Sequence, residues 1–538
     1  MNTKTYPLTM PAIALGLLLS PLSALAVDGT WAGVSGGDWS DPANWSGGLA
    51  YADGIDAVAT FSASGTQPVN LDTDITVGSL AFSTGTYTIA SGNGSVLTLA
   101  TSTTVAPTIT GTATISAVID GTQGFTYTSG NRKLTLSGAN IYTGVTTLTN
   151  GNLTVTSSDA LGASGEGNGT VVSQSSGQYP QFHIANNVTL AEDITLRMNW
   201  YNVANNGEVV GGNLIYNDSG DNVINGAITL DRAAGSNANV VHLMGIQTGT
   251  GSLTLNGDIS GSASGGQASG TYADPTRLQF RTTTAAAYLN VNGNISDGTV
   301  GTGGLSVYTS DNSSGIVRLT GANTYSGSTV HQTGTLLINN TVGSGTGTGS
   351  VSVATGAIFG GNGIIKPTGV NGVVFATGAV VAPGDLTEAG SSIAAGEALT
   401  FDLSETTGSV VFEAGATMSF NLNAAAETPS QVSERLAFIG LSAGVTQVEF
   451  NDNVLNFSLT GGLLADGLYT IASFDAANAY SGELVIGTGL EAYDVKSLIF
   501  GAGGIQLAIG NTIPEPSAAA VLAGLAALGF GLSRRRRA

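Results

Sequence analysis

Two stretches of this chain share one pattern, and that pattern decides the fold. Residues 134–155 read LTLSGANIYTGVTTLTNGNLTV, and residues 317–338 read VRLTGANTYSGSTVHQTGTLLI. Laid side by side without gaps, the two stretches are identical at nine of 22 positions. The nine are Leu136/Leu319, Gly138/Gly321, Ala139/Ala322, Asn140/Asn323, Tyr142/Tyr325, Gly144/Gly327, Thr146/Thr329, Gly151/Gly334 and Leu153/Leu336. Self-similarity in a fixed register indicates one structural unit used twice.

Each unit has the pattern of short strands joined at a corner. Apolar and polar residues alternate at 134–136, which predicts a strand with one buried face. Gly138 and Gly144 permit positive φ at the corner, and Asn140 can bond its own backbone there. We expect Tyr142 to cover the corner with its hydroxyl in water. One such unit cannot bury its apolar face alone, but a stack of units can.

Weaker copies of the unit fill much of the remaining chain. Alternating strands next to Gly, Asn or Asp turns recur at 87–99, 223–230, 253–259 and 289–295. The predicted fold class is therefore all-β, a solenoid that rises about 4.8 Å per turn, with roughly 20 to 25 residues in each turn. We expect the repeat region to span 27–384. Residues 385–510 show fewer clear repeats and predict a β-rich region that could form a sandwich-like cap.

The composition suits strands and narrows the function. Glycine accounts for 79 of the 538 residues, and charged residues make up only 9%. The net charge of −21 repels phosphate backbones, which argues against nucleic acid as a partner. The chain contains no cysteine, so thiol catalysis, disulfides and cysteine-ligated metals are excluded.

The N-terminus has the pattern of a secretory signal peptide over residues 1–26. Lys4 precedes a short apolar run at 13–19, and Ala24 and Ala26 form a small-x-small cleavage site. The apolar run is shorter than a membrane span, which favours cleavage after Ala26 over an uncleaved anchor.

The C-terminal segment, residues 511–538, has three features in a fixed order. Pro514, Glu515 and Pro516 precede an apolar stretch at 517–532, and Arg534, Arg535, Arg536 and Arg537 follow it. The stretch predicts a short transmembrane helix whose arginines stay in the cytoplasm, leaving the body outside. Pro514 and Pro516 keep the preceding peptide extended and accessible. The alternative is a plain tail anchor.

This segment closely resembles the PEP-CTERM sorting signal of Gram-negative bacteria. The resemblance rests on the Pro-Glu-Pro triplet, the apolar stretch and the basic end. It implies processing near the triplet by an exosortase, a transpeptidase-like membrane enzyme. It covers about 25 residues and implies nothing about the function of the body.

The body resembles the autotransporter-associated β-strand repeat family. The GAN-x-Y-x-G-x-T core at 138–146 and 321–329 is the hallmark, and WAGVSGGDWSDPANW at 31–45 and GAVVAPG at 378–384 look like its neighbouring segments. The resemblance implies a right-handed parallel β-helix. A true autotransporter ends in an outer-membrane barrel, and here the apolar tail occupies that place. We therefore expect separate export machinery to carry the body outward.

Few residues suggest catalysis. His183, His242 and His331 each stand alone, without the spacing of a metal site, and His331 falls inside the repeat opposite Leu148 of the other copy. The carboxylate pairs that could serve as acid and base are Asp53/Asp56, Asp72/Asp74, Asp218/Asp221 and Asp297/Asp311.

Two further features could bind ligands. The segment NDSGDN at 217–222, with Asp218 and Asp221, is the best calcium candidate, but an Asx-rich turn is the preferred interpretation. Trp31, Trp39 and Trp45 could stack on sugar rings or cap the open end of the rod.

The sequence favours a non-enzymatic protein of the cell surface or the extracellular matrix of a biofilm. It would be exported, held briefly in the inner membrane, processed through its tail, and then reside at the outer surface or outside the cell. Its expected partners are the export machinery, an exosortase and, as a further candidate, extracellular polysaccharide; no cofactor is expected. The alternatives are an adhesin or carbohydrate-binding module, and a β-helical polysaccharide hydrolase or lyase.

Overall fold

The computed structural model describes residues 26–510, except 34, 176, 199–201, 204–208, 211, 233–241, 263–275, 300–303, 385–397 and 424–433. Within this part of the chain, the only helical element is one turn of 3₁₀-helix, Pro42–Asn44. The other regular elements are strands, most of which pair in parallel with strands one turn further along the chain. The predicted parallel β-helix is therefore confirmed.

Successive strands occupy three faces in rotation. The first face contains Gly29–Trp31, Val58–Phe61, Ser79–Phe82, Thr108–Thr110, Gly169–Gln174, Ile194–Met198, Ile228–Arg232, Ile259–Ser262 and Ile295–Ser296, followed by Ile364–Ile365, Ala398–Asp402, Arg435–Ile439 and Gly467–Phe474. Between Ile295–Ser296 and Ile364–Ile365 the face continues without strands, through single backbone hydrogen bonds. The N–H groups of Thr324, Asn323 and Gly345 donate to the carbonyls of Ile295, Ser344 and Ile364, respectively. Two long strands, Phe125–Leu136 and Val145–Val155, bend from the first face into the second.

The other two faces run the length of the rod beside the first. The second face contains Gly37–Asp38, Thr66–Asn70, Thr86–Ala90, Ala113–Ile115, Pro180–Ala185, Asn213–Ser219, His242–Thr248, Thr276–Thr282, Leu305–Thr309, Thr329–His331, Val351–Val353, Val373–Phe375, Val410–Phe412, Val448–Glu449 and Tyr480–Ser481. The third contains Ile75–Val77, Val96–Leu99, Val118–Asp120, Thr189–Leu190, Asp221–Ile224, Ser252–Leu255, Tyr288–Val291, Ile316–Leu319, Thr335–Ile338, Ile358–Gly361, Val380–Pro383, Thr417–Asn423, Asn453–Thr460 and Leu484–Ile486. A small antiparallel hairpin, Asn202–Val203 with Val209–Val210, lies between strands of the first and second faces.

The C-terminal region differs from the sandwich-like cap that we considered. Its described strands from Ala398 to Ile486 pair in parallel with the preceding turns, so the solenoid continues through them. Antiparallel pairing begins only where Gly504–Gly510 joins Gly467–Phe474, and Val495–Gly501 then pairs with Gly504–Gly510. The cap at this end is one hairpin, which covers the open edge of the first face.

The core is a column of inward-facing side chains that stack turn upon turn. Alternation along each strand sends every second residue inward, and equivalent positions on successive turns stack directly. Phe61 stacks on Phe82 with ring centroids 4.8 Å apart. Near the other end, Phe438 stacks on Phe401 at 5.2 Å and on Phe474 at 5.1 Å. The side-chain column therefore continues through the C-terminal region.

The turns differ in length along the chain. Hydrogen bonds between adjacent turns join residues 21 apart at Asn140, 36 apart at Asn294 and 40 apart at Asn453. The expectation of roughly 20 to 25 residues per turn therefore holds for the N-terminal turns and again between Thr329 and Val380, where paired residues are 22 apart. The turns between these two regions, and those after the second, are longer. The additional residues lie in the connections between faces, which do not disturb the stack.

Candidate functional site

The repeat unit of the sequence is one complete turn. Leu134 lies beside Leu153 on the second face, whereas Val317 lies beside Leu336 on the third face. The two copies therefore start one face apart around the rod. The repeat unit therefore specifies the path of one full turn. It does not specify the face on which that turn begins.

Asn140 and Asn323 join their own turn to both neighbouring turns. Asn140 Oδ1 accepts the backbone N–H of Ile119 at 2.9 Å, and its Nδ2 donates to the carbonyl of Ala160 at 2.6 Å. Asn323 makes the equivalent pair of contacts at 2.8 and 2.6 Å. Both side chains are buried. The expectation that Asn140 bonds its own backbone is wrong, because the adjacent turns supply the partners.

The tyrosine of the repeat is also internal. Tyr142 and Tyr325 are buried, and each hydroxyl lies 2.6 Å from the hydroxyl of the threonine four residues on, Thr146 or Thr329. Burial raises the pKa of both phenols above the usual range. The expectation that the hydroxyl is exposed to water is therefore wrong. The hydrogen bond between tyrosine and threonine explains the motif spacing Y-x-G-x-T.

The glycines of the repeat serve two different needs. Gly144 has φ of 90°, as expected for a corner. Gly138, Gly321 and Gly327 do not have positive φ, but a Cβ at each would collide with a neighbouring backbone. At Gly138 the added atom would lie 2.5 Å from the carbonyl oxygen of Ala117. Most of these glycines are therefore required by close approach between turns.

Most of the carboxylates proposed as acid–base pairs are engaged by backbone N–H groups of other turns or loops. N–H groups donate to them at 2.7 to 3.0 Å: Thr76 to Asp53, Ser102 to Asp56, Ser40 to Asp72, Val96 to Asp74 and Leu305 to Asp297. Asp311 accepts a hydrogen bond from the Asn312 side chain. Among the described residues, no three His, Cys, Asp or Glu side chains are grouped to hold a metal ion. These carboxylates reinforce corners and loops.

Asp218 and Asp221, the calcium candidates, make separate contacts. Asp218 Oδ1 lies 2.8 Å from Nδ1 of His183. Asp221 Oδ1 accepts the N–H and the hydroxyl of Ser252, at 3.0 and 2.9 Å. Between them, Asn222 is buried and donates to the carbonyl of Ser219. The segment is an Asx-rich corner, and calcium binding there stays a prediction.

The three tryptophans cap the N-terminal end of the rod. Trp31, Trp39 and Trp45 are at most 2% exposed and pack around Phe61. Trp39 Nε1 donates to the carbonyl of Ala52 at 2.9 Å. The capping interpretation agrees with this geometry, and the rings are too buried to stack on a sugar.

His331 is a core residue. Its Nδ1 accepts the hydroxyl of Thr309 at 2.7 Å, and its Nε2 donates to the carbonyl of Ile358 at 2.8 Å. Burial lowers the pKa of His331 to about 4, so the ring is neutral at neutral pH. Its surroundings give it a structural role. His242 begins a strand of the second face.

One outward row of the second face changes character along the rod. Residues paired across successive turns in this row are Thr88, Thr114, Thr135, Thr154, His183, Tyr216, Gln247 and Arg281. Threonine suits an outward strand position by its β-branching alone. From His183 onward the row carries rings, amides and charge, which strand propensity does not require. The polar face is defined here as Gln181, His183, Tyr216, Asp218, Gln247, Arg277, Gln279, Arg281 and Tyr308.

Rings and hydrogen bonds order the N-terminal end of the polar face. The His183 ring lies parallel to the Tyr216 ring, with centroids 4.6 Å apart and an 8° interplanar angle. Gln181 Nε2 donates to the Tyr216 hydroxyl at 3.0 Å. Asp218 fixes the other side of the imidazole. These side chains form a rigid patch of donors and acceptors.

Two arginines dominate the C-terminal end of the polar face. Arg277 and Arg281 project from the same strand, and Gln279 lies between them. The Arg277 guanidinium lies 5.8 Å from the ring centroid of Tyr308. Arg281 Nε is buried without a hydrogen-bond partner among the described residues. The sequence did not predict this face, because its paired members on adjacent turns are 29 to 34 residues apart and only the register brings them together.

Glu192 is a further residue that the sequence analysis did not predict to be special. It is 3% exposed, and neither carboxyl oxygen has a hydrogen-bond partner within the described part of the chain. Burial raises the pKa of Glu192 to about 7, and the charge of Asp193 adds to the shift. This residue is a buried acid inside a corner of the rod.

No family model matches this chain. A stretch of 95 residues is 47% identical to part of the adhesin BmaC autotransporter of Brucella suis biovar 1 (strain 1330). The stretch covers 18% of this chain and 3% of the Brucella protein, so the chain spans only a small fraction of that relative's length. The similarity supports the autotransporter-like character of part of the chain.

The predicted sorting signals lie almost wholly outside the described residues. This applies to Ala24, to Pro514–Glu515–Pro516, to the stretch 517–532 and to Arg534–Arg537; Ala26 is the first described residue. The described part of the chain contains no helix long and apolar enough to cross a membrane. Cleavage and sorting therefore stay predictions.

Proposed function

We propose that this chain is a non-enzymatic, adhesin-type protein of the cell surface or extracellular matrix. The polar face carries the proposal. Its outward side chains include rings, amides and charged groups, which strand formation alone does not require. Most of the candidate carboxylates, in contrast, are engaged by backbone N–H groups. The similarity of one stretch to an autotransporter adhesin supports the same function.

Delivery follows from the two ends of the sequence. The N-terminal signal peptide directs export, and the Pro-Glu-Pro tail holds the chain in the inner membrane until an exosortase cuts near Glu515. Intact-mass measurement of the protein from its native envelope tests this step. A mature mass that lacks Arg534–Arg537 supports processing, and a mass that includes them contradicts it.

The rival function is a β-helical polysaccharide hydrolase or lyase. The test is incubation of the purified chain with extracellular polysaccharide from the producing cells, followed by measurement of binding, new reducing ends and unsaturated sugars. We expect the polysaccharide to be retained on the immobilised protein without cleavage products. Reproducible release of shortened chains would show that the protein is an enzyme.

A further inference from the structure

We propose that the polar face binds a polysaccharide that bears carboxylate groups, and that Arg277 and Arg281 recognise its acid groups. This inference rests on the adhesin-type function and specifies the chemical class of its ligand. Arg277 and Arg281 are four residues apart on one strand, so both face outward, about 13 Å apart along the strand.

Neither arginine has a salt-bridge partner among the described residues. Arg197 and Lys366, in contrast, do have one: Arg197 Nε lies 2.7 Å from Asp231, and Lys366 contacts carboxylates at 2.9 and 3.5 Å. The strand Thr276–Thr282 therefore carries two guanidinium groups without a carboxylate partner among the described residues, in a chain with a net charge of −21. They form a local positive site that complements an acidic ligand.

Both guanidinium groups are restrained before a ligand arrives. Arg277 lies over the Tyr308 ring, which limits its rotamers through a cation–π contact. Arg281 lies beside Gln247 in the ladder, with its Nε out of contact with water. Pre-ordered side chains lose less entropy on binding, and a guanidinium presents paired donors that match a carboxylate.

The neighbouring side chains suit the rest of a sugar polymer. Gln247 and Gln279 place amides, which both donate and accept hydrogen bonds, beside the arginines. Towards the N-terminal end, Asp218 and His183 offer groups for hydroxyls, while the charge of Asp218 disfavours acids there. A polymer lying along the rod would therefore place its carboxylates at Arg277 and Arg281 and its hydroxyls elsewhere.

The test compares the full exported chain with the double variant Arg277→Gln/Arg281→Gln. The probes are alginate oligosaccharides, which carry a carboxylate on each ring, and neutral dextran of matched length. The control variant is Arg132→Gln/Lys133→Gln, which removes the same charge from exposed positions on Phe125–Leu136. We expect the double variant to bind alginate at least about tenfold more weakly, and the control to lose less than about twofold.

Two results would overturn the inference while leaving an adhesin-type function in place. One is equal alginate affinity in the wild type and the double variant. The other is wild-type binding to dextran as tight as to alginate. Circular dichroism melts of both variants confirm that each is folded. Cleavage of either probe would instead contradict the proposed non-enzymatic function.

Discussion

Asn140 shows how one buried amide can hold several turns together. Its oxygen and nitrogen bond backbone groups 21 residues earlier and 20 residues later. Removing the side chain leaves a buried N–H and a buried carbonyl without partners, and an unmet buried group costs about 1–3 kcal/mol.

Asn140→Ala is therefore expected to lower the free energy of unfolding by about 2–4 kcal/mol. Urea denaturation followed by circular dichroism measures the change. The matched control is Asn225→Ala, because Asn225 is an exposed corner asparagine whose side chain accepts a hydrogen bond from the side chain of Asn256. A loss at Asn225 as large as that at Asn140 would show that burial is not the cause.

Glu192 makes stability depend on pH. Its native pKa of about 7 exceeds the ordinary value of 4.5, so the folded state holds the proton more tightly. Stability attributable to this group is greatest below about pH 4.5, falls as pH rises towards 7 and stays low above it.

Glu192→Gln removes the buried charge. We expect it to raise the free energy of unfolding at pH 8 by about 1–3 kcal/mol and to change it little at pH 4. Urea midpoints at the two pH values provide the measurement, with the exposed Glu166→Gln as control. Equal effects of Glu192→Gln at both pH values would contradict the burial argument.

At the scale of elements, the N-terminal tryptophan cluster closes the stack. A solenoid leaves its terminal turns with an uncovered core, and capping residues protect it. Trp39 contributes a fully buried indole and a hydrogen bond to Ala52. Each turn contacts mainly its neighbours, so damage here should remain local.

Trp39→Ala is expected to cost about 3–5 kcal/mol in the N-terminal turns. Hydrogen exchange should show lost protection in the first turns and little change beyond residue 170. Alginate binding should stay within about twofold of the wild type, because Trp39 does not contact the polar face. Loss of binding in this variant with intact protection at 180–310 would revive a sugar-binding role for the tryptophans.

At the scale of the whole molecule, the two copies of the repeat test how independent the turns are. Asn140 and Asn323 make the same contacts in turns separated by most of the central rod. A quasi-one-dimensional stack transmits strain only between neighbours. The two sites should therefore behave as independent contributions.

The double variant Asn140→Ala/Asn323→Ala is expected to lose the sum of the two single losses to within about 0.5 kcal/mol. Denaturation of the two single variants and the double variant gives the coupling energy directly. A coupling energy of about 1.5 kcal/mol or more would indicate that the two distant turns influence each other, and would contradict the nearest-neighbour description.

The repeat pattern by itself determined the fold class. Alternation fixes which side chains point inward, and the glycines mark where turns approach closely, so residues 134–155 already specify a turn that must stack. These are local properties, and a sequence expresses them directly. Two predictions were wrong: that the tyrosine hydroxyl is exposed to solvent, and that the asparagine side chain bonds its own backbone. The tyrosine hydroxyl lies in the interior, and the partners of the asparagine belong to other turns.

Only the tertiary structure decided the polar face. His183, Tyr216, Gln247 and Arg281 become neighbours because the register pairs them across turns of unequal length. The length of each connection sets that register, and no local rule predicts it. The sequence therefore determined that a rod forms, and the stacking of unequal turns decided which side chains share its surface.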